Sequence, residues 1–274
     1  MPTTNQTVQK IIDDVRRGGL VLPDFQRKFV WKPDDVQELL VSVLGEYYIG
    51  SMLYMEAIRD EAPFALRLVE GALESNPSVV IDSIVRILLD GQQRTSSLFY
   101  ALFAPPIPLA GRKSPYRFYA NISRMLAQDW ENSVEFVNTS NKKATAKYEE
   151  SEEYIAFPQF RDVGVLSERL MKTKYQKQFA ALVQLINKFN TYDIQMVHLD
   201  RGTPLDRVVE TFERINKTGE PLAVTDLLVA RLYRDGVKLR DLIRDASEKY
   251  AFFDTTGADY VLRVLSLGRV FGDN

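Results

Sequence analysis

The residues best placed to do chemistry lie in one short run, Leu88-Leu89-Asp90-Gly91-Gln92-Gln93-Arg94-Thr95. An apolar strand ends, a glycine turns the chain, and a helix begins. The first backbone N–H groups of a helix have no internal partners, and the helix dipole places partial positive charge there. Such an end favours an anion. Gly91 permits a positive φ and lets a phosphate come close to the backbone. The side-chain amides of Gln92 and Gln93 can donate hydrogen bonds, and Thr95 offers a hydroxyl. Arg94 carries a guanidinium fork suited to phosphate. An arginine in the first helical turn opposes the dipole preference, and a bound phosphate would compensate for it. The plainer alternative has Asp90 capping the helix and Arg94 paired with a surface carboxylate. The run contains no lysine, and the chain has neither G-K-S/T nor G-x-G-x-x-G. A Walker loop and a dinucleotide fingerprint are therefore excluded.

Two further segments mix cations, amides and aromatics. In Leu22-Pro23-Asp24-Phe25-Gln26-Arg27-Lys28-Phe29-Val30-Trp31, Gln26 and Arg27 could reach a second phosphate or a base. The aromatics read as core anchors, because large aromatics usually bury. In Phe212-Glu213-Arg214-Ile215-Asn216-Lys217-Thr218-Gly219, the basic residues sit near a helix C-terminus, where they complement the dipole. Taken alone, that segment needs no functional explanation. His198, the single histidine, follows an apolar strand pattern and reads as a hydrogen-bonded structural residue. Lys142, Lys143 and Lys147, followed by Glu149, Glu150, Glu152 and Glu153, read as a solvated loop.

The elements that must position these residues follow from periodicity. Val8, Ile11, Ile12 and Val15 predict a short amphipathic helix stopped by Gly18 and Gly19. Leu20 to Leu22 is a brief strand. Pro33 opens a second helix with the stripe Val36, Leu39, Leu40, Val43, Leu44 and Tyr47. Ser51 to Ile58 and Ser83 to Leu89 predict strands. After Gly91 a helix runs with Leu98, Phe99, Leu102 and Phe103 inward until Pro105 and Pro106 break it. Tyr116 to Ile122 and Tyr192 to Leu199 predict further strands. Phe179, Leu182, Val183 and Ile186 form one helical stripe, and Leu205, Val208, Val209, Phe212 and Ile215 another. Thr225 to Arg234 is a further helix. Asn138 to Glu153 is polar and of mixed charge, and is expected to be a mobile loop. The outline is an α+β first part followed by a mainly helical one.

Composition narrows the chemistry. The chain has 274 residues and no cysteine, so thiol nucleophiles, disulfides, iron–sulfur clusters and thiolate zinc sites are excluded. One histidine excludes a nuclease centre that needs two or three. Thirty-five Lys and Arg against 37 Asp and Glu give a net charge of −2, so a strongly basic nucleic-acid-binding surface cannot be the whole character of the protein. Met1 to Gln9 is polar and has no apolar core of a signal peptide. The longest nearly unbroken apolar run, Leu98 to Gly111, is 14 residues long with three prolines and cannot span a bilayer. A cytoplasmic protein is expected, with no membrane partner, and no internal repeat is visible.

Taken in order, the segments carry a resemblance. The chain resembles the N-terminal domain family of GmrSD-type, modification-dependent restriction enzymes and related phage-defence effectors, including phosphorothioate-sensing ones. The family pattern is P-x-F/Y-Q-R-x-F/Y-V-W, an I/L-G-S strand start, D-G-Q-Q-R-T/L-x-x-L, and F-x-R-I-N-x-x-G-x-x-L. Here these are Pro23 to Trp31, Ile49-Gly50-Ser51, Asp90 to Leu98 and Phe212 to Leu222. The first three also look like those of ParB-type CTPases and sulfiredoxin-like proteins, although sulfiredoxin chemistry cannot operate without its cysteine. The resemblance implies an α+β fold with a ParB/sulfiredoxin-like mixed sheet. It places a nucleotide-binding part at residues 1–122 and a mainly helical part at 123–274 packed on it, the two forming one continuous family domain.

The resemblance further implies an NTP-binding, NTP-hydrolysing regulatory domain that controls a nuclease. Asp90, Gln93 and Arg94 would be catalytic. Gln26, Arg27, Gly91, Gln92, Gln93, Arg94, Thr95, Arg214 and Asn216 would hold the nucleotide. The cofactor would be an NTP with Mg²⁺ on Asp90, since a lone carboxylate suits an ion that keeps most of its waters. The implied partner is an HNH-type nuclease domain or subunit, with modified DNA as a further candidate; self-association is left open. The competing reading is a non-enzymatic module that senses modified DNA in the same groove. The chain ends at Val270-Phe271-Gly272-Asp273-Asn274 in mid-pattern. That suggests either a shortened chain or a protein acting with a separate nuclease subunit.

Overall fold

The computed structural model describes residues 2–204, apart from Phe25 and Arg27, and the isolated positions 207, 208, 210, 211, 214 and 245. The fold is α+β. Its elements are β1 (Thr3–Thr7), α1 (Val8–Arg17), β2 (Leu20–Pro23), α2 (Pro33–Leu44), β3 (Met52–Ile58), β4 (Leu66–Arg67), α3 (Ala72–Ser75), β5 (Ile84–Asp90), α4 (Gln92–Phe103), β6 (Tyr116–Asn121), α5 (Ile122–Leu126), β7 (Val134–Asn138), α6 (Lys142–Glu150), β8 (Tyr154–Ala156), α7 (Val163–Leu170), α8 (Phe179–Asn190) and β9 (Asp193–Leu199). The chain divides into two compact units. One comprises Met1–Leu22, Arg27–Arg59 and Leu68–Arg201; the other comprises Pro23–Gln26, Asp60–Arg67 and Gly202–Asn274.

Within the first unit the main sheet runs in the order β1, β9, β3, β5, β2. It is mixed: β1 is antiparallel to β9, β9 parallel to β3, β3 antiparallel to β5, and β5 parallel to β2. A second, antiparallel sheet has β6 between β7 and β8. The predicted helices from Val8 and Pro33 form as α1 and α2, because their stripes can be buried; Tyr47, expected in the second stripe, lies beyond the end of α2 and is exposed. Val8, Ile11, Val15, Val36 and Leu40 are all fully enclosed. Thr7 caps α1 by accepting from Lys10 N, and Gly18 ends it in the left-handed region at φ 82°. A Cβ on Gly18 would overlap the Val80 carbonyl.

The helix that follows Gly91 is the centre of the unit. Gln92, Gln93 and every residue from Thr95 to Leu102 are buried along α4. A helix enclosed on all sides belongs to the core rather than to a surface. Leu98, Phe99 and Leu102 each contribute about 1.5–3 kcal/mol by leaving water. Tyr100 donates to Ile107 O at 2.8 Å and accepts from Tyr116 N at 2.9 Å. Burial pushes its hydroxyl up to about 12. One tyrosine thus ties α4 to the start of β6.

The segment Asn138 to Glu153 is not a mobile loop. Residues Lys142–Glu150 form α6, with the Asn141 side chain accepting from Ala144 N at its start. The helix has no apolar stripe, and none of its residues is buried. It is held by side-chain contacts to the second sheet. Tyr148 stacks on Tyr119 at 4.9 Å and donates to Glu135 at 2.6 Å, and Glu149 pairs with Arg117. These tertiary contacts outweigh a local pattern that reads as solvated.

Glu153, just before β8, accepts from Lys174 and Tyr175. Those two hydrogen bonds hold its carboxyl below the ordinary value of 4.5. A folded-state value depressed in this way stabilises the protein above the unfolded value and is lost as pH falls through the folded one. Urea midpoints of wild type and Glu153→Gln should therefore differ near neutrality and converge as pH falls below 4.5. A constant difference across that window would refute the linkage. No helix among the described residues is long and apolar enough to cross a membrane.

Candidate functional site

The Gly91 turn joins the interior strand β5 to the buried helix α4, so its geometry is fixed from both sides. Gly91 sits at φ 98° as the residue before the helix and has no side chain with which to cap α4. The left-handed conformation here is one that only glycine adopts without cost. Asp90 is the last residue of β5 and does not cap the helix. It instead pairs with Arg94, four residues on, at 3.0 Å. This is the carboxylate pairing of the plainer alternative, with the partner supplied by the turn itself. Arg94 also donates through its other terminal nitrogen to Ile49 O at 2.7 Å. The guanidinium is thereby locked in one pose across the mouth of the turn, with its side chain 17% exposed.

Gln93 has a different task. Its Oε1 accepts from Val30 N at 2.9 Å and its Nε2 donates to Lys28 O at 3.3 Å. The amide thus pins residues 28–30 against the start of α4. Glu70, which sequence reasoning missed, completes this connection. Its two oxygens accept from Phe29 N at 3.0 Å and from Ser96 Oγ at 3.4 Å. Its only signal in the sequence was a carboxylate in an otherwise apolar neighbourhood. Phe29 and Trp31 pack against the core, which accounts for two of the aromatics in that segment. The backbone of Gly50 lies so close to Arg94 that a Cβ would stand 2.7 Å from Nη1. Three separate motifs of the sequence therefore meet at the first turn of α4.

The structure brings together Asp90, Gly91, Gln92, Gln93, Arg94 and Thr95. Gln92 is 7% exposed, and Thr95 is fully buried with its hydroxyl 3.5 Å from Met52 Sδ. Gln26 is buried in the other unit, where its carbonyl accepts from Arg67 at 3.4 Å. Arg214 pairs with Glu210 at 2.7 Å. Arg27 and Asn216 lie outside the described residues, as do most of the helical stripe 205–215 and the helix 225–234. His198 stacks on Tyr54 at 5.0 Å, and its Nε2 finds no partner among the described residues.

Among the described residues no cluster of three or more acidic, histidine or cysteine side chains could enclose a metal. Asp90 Oδ2 is on Arg94, and Oδ1 has no hydrogen bond among the described residues. One protein oxygen fits Mg²⁺ when most of its shell is water and phosphate, not a dedicated protein cage.

The order and spacing of these segments are those of a known family, whose sequence pattern matches residues 8–233. The chain belongs to the GmrSD restriction endonuclease N-terminal domain family. A protein of Methanocaldococcus jannaschii, described as uncharacterised, is 32% identical over 270 residues. That match covers 88% of this chain and 44% of the relative. The chain thus spans under half the length of the curated relative it matches. In this member of the GmrSD N-terminal family, the D-G-Q-Q-R run is the turn from β5 into α4.

Proposed function

We propose that this GmrSD-family chain is an NTP-binding, NTP-hydrolysing regulatory domain of a DNA restriction or phage-defence system that controls an HNH-type nuclease. The observation that carries the proposal is the Gly91 turn. A positive-φ glycine, a helix start that this glycine has no side chain to cap, and an immobilised guanidinium belong to one turn. Backbone N–H groups of residues 92–94 and the dipole of α4 receive the phosphates. Arg94 has five N–H donors and commits one to Ile49 and one to Asp90, which would leave others for a phosphate. Charge neutralisation of this kind is the main protein contribution to phosphoryl transfer. Asp90 would hold Mg²⁺, which would neutralise phosphate charge, or would orient the attacking water, through Oδ1. Gln93 serves the site by holding residues 28–30 at the turn. Arg27, Gln26, Arg214 and Asn216 are assigned to the nucleotide by the family likeness. The nuclease partner is assigned by the family likeness.

The deciding experiment is phosphate release from ATP, GTP, CTP and UTP with Mg²⁺, with and without modified DNA. Turnover that disappears in Arg94→Ala would support the proposal and identify the base. Absence of both turnover and any nucleotide-induced rise in melting temperature would reject it in favour of DNA sensing alone.

A further inference from the structure

Two exposed apolar residues border the first turn of α4, on chain segments that the side chains of that turn hold. Val30 is 41% exposed, and its backbone N–H donates to Gln93 Oε1 at 2.9 Å. Tyr48 is 78% exposed, the most of any large hydrophobic residue among those described. The carbonyl of its neighbour Ile49 accepts from Arg94 Nη1 at 2.7 Å. Consecutive Cα atoms are about 3.8 Å apart, so the Tyr48 side chain leaves the chain within about 9 Å of that guanidinium nitrogen. A ribose and its first phosphate can bridge such a gap.

The loop that carries Tyr48 is fixed on both sides. Arg94 holds Ile49 O on one side. On the other, the Tyr192 hydroxyl donates to Tyr47 O at 2.7 Å, and Tyr47 N donates to Ser42 O at 2.8 Å. The Tyr47 ring lies against Gly45, where an added Cβ would stand 2.7 Å from Cε2. Tyr47 is thus used by its own turn. Tyr48 is not, since its side chain has no hydrogen bond or ring contact among the described residues. A large aromatic left in water forgoes the free energy of burial. Held on a pinned backbone, it offers contact area at a low cost in ordering entropy. Ligand sites join an apolar wall to a few placed polar groups. The Gly91 turn is the polar half of such a site, and Tyr48 with Val30 is the apolar half. Bare polyphosphate would use only the first half; a ligand with a flat aromatic end uses both.

We propose that Tyr48 stacks on the base of the nucleotide whose phosphates the Gly91 turn receives, with Val30 at the edge of the same ligand; the inference rests on the NTP-binding reading above. Stacking uses the π-face that every base presents, so it requires the ring of Tyr48 and not its hydroxyl. The hydrogen bond from Arg94 to Ile49 O then sets the spacing between the base ledge and the phosphate cradle. One guanidinium serves both ends of the ligand, touching the phosphates directly and placing the base through the loop.

The test is titration calorimetry of the full chain with Mg²⁺ and three probes: non-hydrolysable analogues of ATP and UTP, and inorganic tripolyphosphate. Wild type should bind both analogues more tightly than tripolyphosphate. Tyr48→Ala should weaken both analogues by about five- to a hundredfold, the span of base–aromatic stacking, and leave tripolyphosphate unchanged. Tyr48→Phe should restore the analogues to within about twofold of wild type, because the ring is kept. The side chain is exposed, so neither change threatens folding, and equal melting temperatures verify this. Unchanged analogue affinity in Tyr48→Ala would overturn the proposal. So would an equal loss for analogues and tripolyphosphate, which would make Tyr48 a prop for the phosphate cradle, or a loss that Tyr48→Phe does not restore. Tripolyphosphate bound as tightly as the analogues by wild type would remove the base contact while the phosphate site stands. Wild type that binds none of the three probes would reject the NTP reading and this inference together.

Discussion

Arg94→Ala should weaken NTP binding by roughly tenfold to more than a hundredfold, because hydrogen bonds to charged groups contribute about 1.5–3 kcal/mol and each 1.4 kcal/mol is a factor of ten. The expectation rests on how the guanidinium is held. Ile49 O and Asp90 Oδ2 fix both terminal nitrogens, so no ordering entropy remains to be lost when a phosphate arrives. The same contacts make the alanine variant ambiguous by itself. It strips a hydrogen bond from Ile49 O and leaves the Asp90 carboxylate unpaired. Arg94→Lys resolves the ambiguity, since it keeps the charge beside Asp90 but loses the planar fork. Titration calorimetry with a non-hydrolysable NTP should rank wild type above Arg94→Lys above Arg94→Ala, with melting temperatures confirming that each is folded. Equal affinity in all three would remove Arg94 from the site.

The parts of this fold that are legible in the sequence are those whose burial is one-sided and local. The α1 and α2 stripes repeat at helical spacing, and β5 ends where Asp90-Gly91 says it should. The second sheet is less legible. β7 and β8 are short, and α6 is polar throughout, so only the contacts of Tyr148 and Glu149 with β6 and β7 reveal its place. At the candidate site, residue types gave the strand–glycine–helix turn itself, because that follows from a glycine and a helix start. They did not give the partners. Arg94 reaches a carbonyl 45 residues away and Gln93 an amide 63 residues away. Distances of that kind are set by tertiary packing, which no spacing rule encodes. Glu70 escaped notice for the same reason, since its partners Phe29 and Ser96 lie in two different motifs.

The Gly91 turn also sets the size of the second large effect. Gly91→Ala should destabilise the protein by about 2 kcal/mol or more, because a side-chain-bearing residue in the left-handed region costs about 1–2 kcal/mol before any contact is considered. The contact term adds to it: a Cβ would stand 2.6 Å from Met52 Cγ and 3.1 Å from Met52 Cβ. Met52 is fully buried on β3, and Thr95 leans on its sulfur, so it has little room to withdraw. A double-mutant cycle with Met52→Ala separates the two costs. Shortening Met52 should recover the contact part of the loss and leave the backbone part, so the pair should be less destabilised than the sum of the single changes. Urea unfolding of the four proteins measures this directly. Gly91→Ala as stable as wild type would mean that the turn accommodates a side chain. The case for glycine as the residue that admits a phosphate would then fall with it.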